Sequence, residues 1–233
     1  MKILHISDTH TNHDKLNIPS DIDLIIHSGD FSSKKDSFRN ESEAHSFLDW
    51  FSSLDIKHKI LVAGNHDTSI QARLITPKEI ENRGIIYLEN ASVKIEGLLV
   101  WGSPYTPLYG EWAFMRTEQE LASIWETIPD DADIVITHTP PRGMLDLTFD
   151  TEKDGTPYYR LCGSKSLADR MDEVNPILNC FGHIHNSQQG TCVFNAGTRL
   201  KEGSRTIYSN GACSTDGMWG EITSHGNTIE ITI

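Results

Sequence analysis

The stretch KILVAGNHD, residues 59–67, contains an apolar run, Ile60 to Ala63, of the kind that forms a buried strand. The run stops at Gly64, and Asn65, His66 and Asp67 follow in a row. A loop needs polar residues, but it does not need an amide, an imidazole and a carboxylate side by side. Four other apolar runs end in the same style. KILHIS leads to SDTH with Asp8 and His10, and DLIIH leads to SGD with Asp30. DADIVI leads to THTPP with His138, and PILNCF leads to GHIH with His183 and His185.

In α/β sheets, ligands bind in the crevice beyond the carboxyl ends of the strands. Five such ends can therefore surround one hole, and the residue types say what fills it. Imidazole with carboxylate suits Mn²⁺, Fe, Zn²⁺ or Co²⁺ better than Ca²⁺, which takes mainly oxygen. None of the five stretches offers a Cys ligand at its end, which argues against a structural thiolate zinc site. The donor groups are too many for one ion. Two ions roughly 3.5–4 Å apart would use them if one carboxylate bridges. Asp30 is the candidate bridge, because it stands alone at the end of its strand. Two divalent ions bring four positive charges, Asp8 and Asp30 return two, and a bridging hydroxide leaves about +1. Such a site suits an anionic phosphate. Gly29, Gly64 and Gly182 each precede a site residue, where the backbone must turn sharply or pack closely.

Each motif alone has a blander reading: a GD pair is usually a turn, and a lone His pair is usually surface or core. The metal reading rests on five endings in one chain. His5, His13, His45, His58 and His225 are read as structural or solvated, and His27 as a possible neighbour of the site. Glu41, Glu43 and Asp49 are read as a solvated helix face, and the Met and Trp residues as packing.

The bulk numbers agree with an α/β protein. The chain has 233 residues, 37% of them hydrophobic, enough for a substantial core in a single domain spanning 1–233. Its net charge of −13 argues against a nonspecific nucleic-acid surface. Four cysteines, at 162, 180, 192 and 213, form no C-x-x-C pair, which favours a reduced cytoplasmic protein. No apolar run approaches the ~20 residues of a membrane helix. MKILHISDTH lacks the apolar core of a signal peptide and is read as part of the fold.

Between the strands the pattern alternates with helices. ESEAHSFLDWFSSL reads as a helix with acidic residues in its first turn. TPKEIENRG reads as a short helix with Thr76 as N-cap, Pro77 at the first position and Gly84 at its end. TEQELASIWETI carries a capping box, Thr117 with Glu120, and SKSLADRMDEV reads as a further helix. VKIEGLLVWGSP reads as a hairpin turning at Glu96-Gly97, and from Thr191 onward the pattern is mostly strand and turn.

These blocks, from Asp8 to His185 in order, resemble the signature of the calcineurin-like metallophosphoesterases. HKILVAGNHD, YLENASVKIEGLLVWGSPYTP, THTPPRG and YSNGACS are also similar to the metallophosphoesterase-domain-containing branch, which extends the likeness over nearly the whole chain. The resemblance implies two mixed β-sheets packed as a sandwich and flanked by helices. It implies that Asp8, His10, Asp30 and His185 hold one metal, and that Asp30, Asn65, His138 and His183 hold a second. His66, outside both sets, would be the general acid, and Asp67 would orient a neighbour. Some animal members of that branch have Gly where His183 stands, so its presence here implies a complete dinuclear site.

The expected activity is hydrolysis of phosphate esters by attack of a metal-bridging hydroxide, with two Mn²⁺ ions as the foremost cofactor choice. A small phosphodiester, such as a cyclic nucleotide, is the expected substrate, because GNHD, SGD, SDTH and GHIH contain no Arg or Lys for a dianionic monoester. Arg142, Lys153 and Arg160 are the cations that would weaken that argument. The alternatives are a phosphomonoesterase, a nuclease, or a metal-bound interaction protein without activity. A homodimer is left open.

Overall fold

The computed structural model describes residues 1–152, 154–185, 195–215 and 220–232. The chain begins with β1 (Lys2–Ile6), β2 (Leu24–His27), helix α1 (Ser37–Ser53) and β3 (His58–Leu61). Two short helices follow, α2 (Thr68–Gln71) and α3 (Pro77–Glu81), then β4 (Ile86–Tyr87), β5 (Ala91–Ile95) and β6 (Leu98–Ser103). Next come β7 (Thr106–Pro107), β8 (Met115–Arg116), α4 (Glu118–Trp125), β9 (Ile134–Thr137) and the hairpin of β10 (Leu147–Thr151) and β11 (Pro157–Leu161). The last elements are α5 (Lys165–Val174), β12 (Leu178–Phe181), β13 (Gly197–Leu200), β14 (Ile207–Asn210) and β15 (Asn227–Glu230).

Two mixed sheets result. One runs β15-β1-β2-β3-β4 and the other β13-β14-β12-β9-β6-β5. In each, the central strands are parallel, and β15, β13 and β5 are antiparallel edges. Strand side chains alternate faces, so each central strand feeds two cores. Ile3, Leu24, Ile26, Ile60 and Val62 of the first sheet meet Val100, Ile134, Ile136, Leu178 and Cys180 of the second. The intervening residues Leu4, Ile6, Ile25 and Leu61 face α1, where Ala44, Phe47, Leu48 and Phe51 cover them. On the far side Trp101, Val135, Phe181 and Tyr208 pack under α4 and α5 through Leu121, Trp125, Leu167 and Met171. The layers are therefore helix, sheet, sheet, helix. Phe47 stacks on Phe31 at 4.5 Å and on Phe51 at 5.2 Å between ring centroids. Truncating so buried a ring costs about 3–5 kcal/mol.

Local signals account for most boundaries. The Thr117–Glu120 capping box and the Thr76 cap are formed. Glu96 and Gly97 turn with φ of 48° and 90°, the left-handed pair of a tight hairpin, between the paired Ile95 and Leu98. Helix α1 differs from expectation. It begins four residues earlier, at Ser37, because Asp36 accepts a bond from the Arg39 amide at 3.0 Å, and its first turn holds no acidic residue. Glu43 is not a solvated face either: it accepts from the amides of Ser33 and Lys34 at 2.8 and 2.9 Å. Among the described residues no helix is long and apolar enough to cross a membrane.

Candidate metal centre

The carboxyl ends of β1, β2 and β3 meet those of β9 and β12 at one edge of the sandwich. Backbone bonds lace the ends together: Asp8 donates to the Gly29 carbonyl at 2.9 Å, Ser7 to Gly211 at 2.8 Å, and Gly182 to His138 at 3.0 Å. The turn after each strand is tight. Asp8, His10, Asp30 and His183 take φ of 51°, 43°, 57° and 67°, a costly region for residues with a Cβ. Gly29, at φ 110°, is needed for its backbone freedom. Gly64 and Gly182 are needed for space: a Cβ there would lie 2.3 Å from Asp30 Oδ1 and 2.0 Å from Asp8 Oδ2.

Two triads of donors emerge, Asp8 with His10 and His185, and Asp30 with His138 and His183, each with its donor atoms within 4.8 Å of one another. Their hydrogen bonds suit a cation. His10 Nδ1 donates to the Ser32 carbonyl at 3.1 Å, His185 Nδ1 to Thr215 at 3.2 Å, and His138 Nδ1 to Ser28 at 2.9 Å. A backbone carbonyl at Nδ1 fixes the ring and turns Nε2 toward a metal. The Nε2 atoms of His10 and His185 face each other at 3.4 Å, and His185 Nε2 is 2.9 Å from Asp8 Oδ1. In the second triad, His138 Nε2 lies 3.2 Å from Asp30 Oδ2 and 3.0 Å from Asn65 Oδ1. So many converging acceptors fit a bound cation, and the Asn65 amide oxygen adjoins the second group through His138.

Electrostatics couple the triads. Burial works against the charge on Asp8, but His185 outweighs it and holds the carboxyl well below its usual range. Burial opposes the charge on Asp30 as well, and His138 with His66 overcomes it. His10 is pushed down to about 4 by burial and by His185, and His183 to about 3 by burial and by His138. His138 goes the other way: burial would lower it, but the Asp30 carboxylate lifts it to about 9.

His66 stands beside both triads. Its amide donates to Asp30 Oδ1 at 2.7 Å, its ring packs edge-on against His10 at 4.9 Å, and its Nδ1 is 3.3 Å from the Ser33 carbonyl. Asp67 is fully buried and accepts from the amides of Asp30, Gly64 and Ser32 at 2.9, 2.7 and 3.1 Å and from the Ser32 hydroxyl at 2.6 Å. It ties the β2 and β3 ends together, and burial with the neighbouring Asp30 raises its carboxyl to about 7.

The family model described as Calcineurin-like phosphoesterase matches residues 1–187. This chain belongs to that family. Two groups of its residues, Asp8 with His10 and His185 and Asp30 with His138 and His183, could hold metal ions. It is similar to Metallophosphoesterase domain-containing protein 1 of Homo sapiens, 32% identical over 234 residues, covering 90% of this chain and 65% of that relative. It is also similar to UPF0046 protein K07C11.7 of Caenorhabditis elegans, 28% identical over 234 residues, covering 92% of this chain and 70% of the relative. The chain thus spans less than two thirds of the human relative's length. Its fold is that of the phosphopantetheinyl hydrolase (PptH) from Mycobacterium tuberculosis, with a TM-score of 0.60, 16% identity, and coverage of 94% of this chain and 91% of that one.

The eight residues singled out from the sequence all lie at this edge. The remaining histidines divide. His5 is buried between the Ser28 and Ser209 hydroxyls at 2.9 and 2.8 Å, and His13 packs against Phe47 and Trp50. His27 is next to the site after all: its Nδ1 accepts from the Gly29 amide at 3.2 Å and its Nε2 meets Thr9 Oγ1 at 3.1 Å. Of the three cations named from the sequence, Arg142 is exposed and donates to the Leu161 carbonyl, Arg160 is exposed on β11, and Lys153 lies outside the described residues. Three residues near His66 escaped the sequence reading. Asn40 donates to the His66 carbonyl at 2.9 Å; a polar residue on the 40-44-47-48-51 apolar stripe of α1 was a usable signal. Trp112, read as packing, lies 4.2 Å from the His66 ring between centroids, and Lys35 sits 5.2 Å from the Trp112 ring.

Proposed function

We propose that this chain hydrolyses small phosphodiesters, with Asp8, His10, Asp30 and His185 holding one divalent ion and Asp30, Asn65, His138 and His183 a second. The observation that carries the reading is the convergence of carboxylate and Nε2 acceptors in two adjoining triads, with three imidazoles pinned at Nδ1 by backbone carbonyls. When bound, the two ions, Mn²⁺ foremost, supply Lewis acidity toward the phosphoryl oxygens and lower the pKa of water. Asp30 keeps one oxygen on the His66 amide and the other beside His138, so it orients the acid and the second ligand set together. His66, with Nδ1 toward the Ser33 carbonyl, presents Nε2 to the leaving oxygen. As the bond from phosphorus to that oxygen breaks, His66 gives its proton to the departing alkoxide. Asp67, through Gly64, Asp30 and Ser32, holds both loops at the geometry this needs.

The diester preference is supported by charge. The charges that act most strongly on Asp8 and Asp30 are those of histidines, with Asp30 acting on Asp8 as well. A singly charged diester matches a site of about +1, whereas a dianionic monoester calls for added cations. The unpaired Cys162, Cys180 and Cys213 support a reducing compartment such as the cytoplasm, and residues 1–233 are read as one working domain. Comparing kcat/KM for bis(4-nitrophenyl) phosphate, 4-nitrophenyl phosphate and 2′,3′- and 3′,5′-cyclic nucleotides under Mn²⁺ tests the reading. A diester should lead; preference for the monoester would reject the diesterase assignment and keep the hydrolase.

A further inference from the structure

Beside His66 lies an open groove of about 460 Å³, within the range of about 300–1,000 Å³ typical of ligand pockets. Trp112 belongs to both places: its ring packs on His66 at 4.2 Å with 33° between planes, and it also lines the groove with Lys35, Ser37, Thr68 and Gln71. The loop carrying it is fixed at its end. The Ala113 amide donates to the Asn65 carbonyl at 3.0 Å, which ties the loop to the strand end that bears His66. The Phe114 carbonyl accepts from Thr106 at 3.0 Å, and Phe114 itself is buried at φ 52°. A half-buried indole tied to this strand end can act on the His66 ring and on the groove at once.

The chemistry of the lining selects an occupant. An indole wall favours a planar ring, and the hydroxyl and amide groups of Ser37, Thr68 and Gln71 favour polar ring edges. Lys35 now occupies space near the indole, 5.2 Å from its centroid, but its ion pair with Glu111 is long, at 3.9 Å, and the two side chains are 56% and 95% exposed. So loose an exposed pair yields readily to a ligand. The leaving group must lie on the His66 side of the phosphorus, because that ring delivers its proton, and Trp112 joins that ring to the groove.

We propose that this groove is the leaving-group subsite, that it takes planar leaving groups with polar edges, and that Trp112 both walls it and positions the His66 ring. The inference rests on the proposed role of His66, and the test separates the two. Methyl phenyl phosphate and methyl hexafluoroisopropyl phosphate have leaving groups of similar acidity, one planar and one not. The wild-type chain should favour the phenyl ester by about 5- to 100-fold in kcat/KM, the range that stacking on one aromatic residue carries. Trp112→Ala should erase the preference mainly through KM, and Trp112→Phe should restore most of it. Methyl benzylphosphonate and its 2,2-bis(trifluoromethyl)ethyl counterpart, in which a CH2 group replaces the oxygen to the leaving group, give the same comparison as binding by calorimetry. If neither ester is hydrolysed yet the benzylphosphonate preference follows Trp112, the subsite stands and the hydrolase reading fails. If both esters turn over with a preference that Trp112→Ala leaves intact, or with none in the wild type, the subsite is overturned and the hydrolase stands.

Discussion

The first triad pairs Asp8 with two imidazoles that each give Nδ1–H to a backbone carbonyl, and burial keeps His10 down at about 4. The second places His138 against Asp30, which lifts that imidazole to about 9, while His183 is pushed down to about 3. The donor types are the same, but His10 and His138 are shifted in opposite directions. At neutral pH, the chelated protein keeps His10 neutral and ready, whereas its second triad holds a proton on His138 that an arriving ion must displace. The raised pKa also stabilises the ion-free fold: that contribution is fully present below pH 6.5 and lost as pH rises through about 9. The second site exchanges a proton for its ion.

The harshest way to break the comparison is to remove the group that both sets share in the proposal. Asp30→Asn should bring turnover to background and reduce bound metal from two ions to one or none. Metal analysis that still finds two at full occupancy would end the bridging role. A second substitution acts beside the triads. His66→Ala should keep both ions yet slow alkoxide-releasing diesters by roughly 10²–10⁴, the usual worth of a general acid. With nitrophenolate, which needs little protonation, the loss should be far smaller; equal losses would remove His66 from that role.

Two finer effects sharpen the difference between the triads. Ion affinity at the second triad should rise about tenfold per pH unit from pH 6 to 9, as the competing His138 proton is lost. Calorimetry in buffers of different ionisation heat counts the released proton; an affinity at the second triad that stays flat over that range would contradict the assignment. Asp67→Asn presents one acceptor oxygen to four donors. It should cost about 1–3 kcal/mol in denaturant unfolding. It should also weaken the second triad more than the first, because its partners are the amides of Asp30 and Gly64.

How much of this was legible follows from where each signal lies in the chain. The strands and the donors at their ends were readable because each apolar run and its polar ending are contiguous, as in residues 59–67. The two-sheet layering came with the resemblance; the alternation of Ile60, Leu61 and Val62 between two cores is its physical basis. The start of α1 was missed because Asp36 caps a polar first turn, SFRN, that carries no apolar period. Trp112 was missed because it reaches His66 across 46 positions of chain, through a Gly-containing loop without periodicity. The use of Asp67 as a tie between two loops depends on amides 37, 35 and 3 residues away, which no local pattern encodes.

The central claim is that two adjoining donor sets hold two ions close enough to act on one phosphate. Titrating the chelated wild-type chain with Mn²⁺ at neutral pH, followed by electron paramagnetic resonance, tests it most directly. The first equivalent should give an isolated Mn²⁺ signal. The second should convert it into an exchange-coupled spectrum saturating at two ions per chain, and Asp30→Asn should abolish the coupling. Saturation at a single ion, or two ions that remain magnetically independent, would contradict the account.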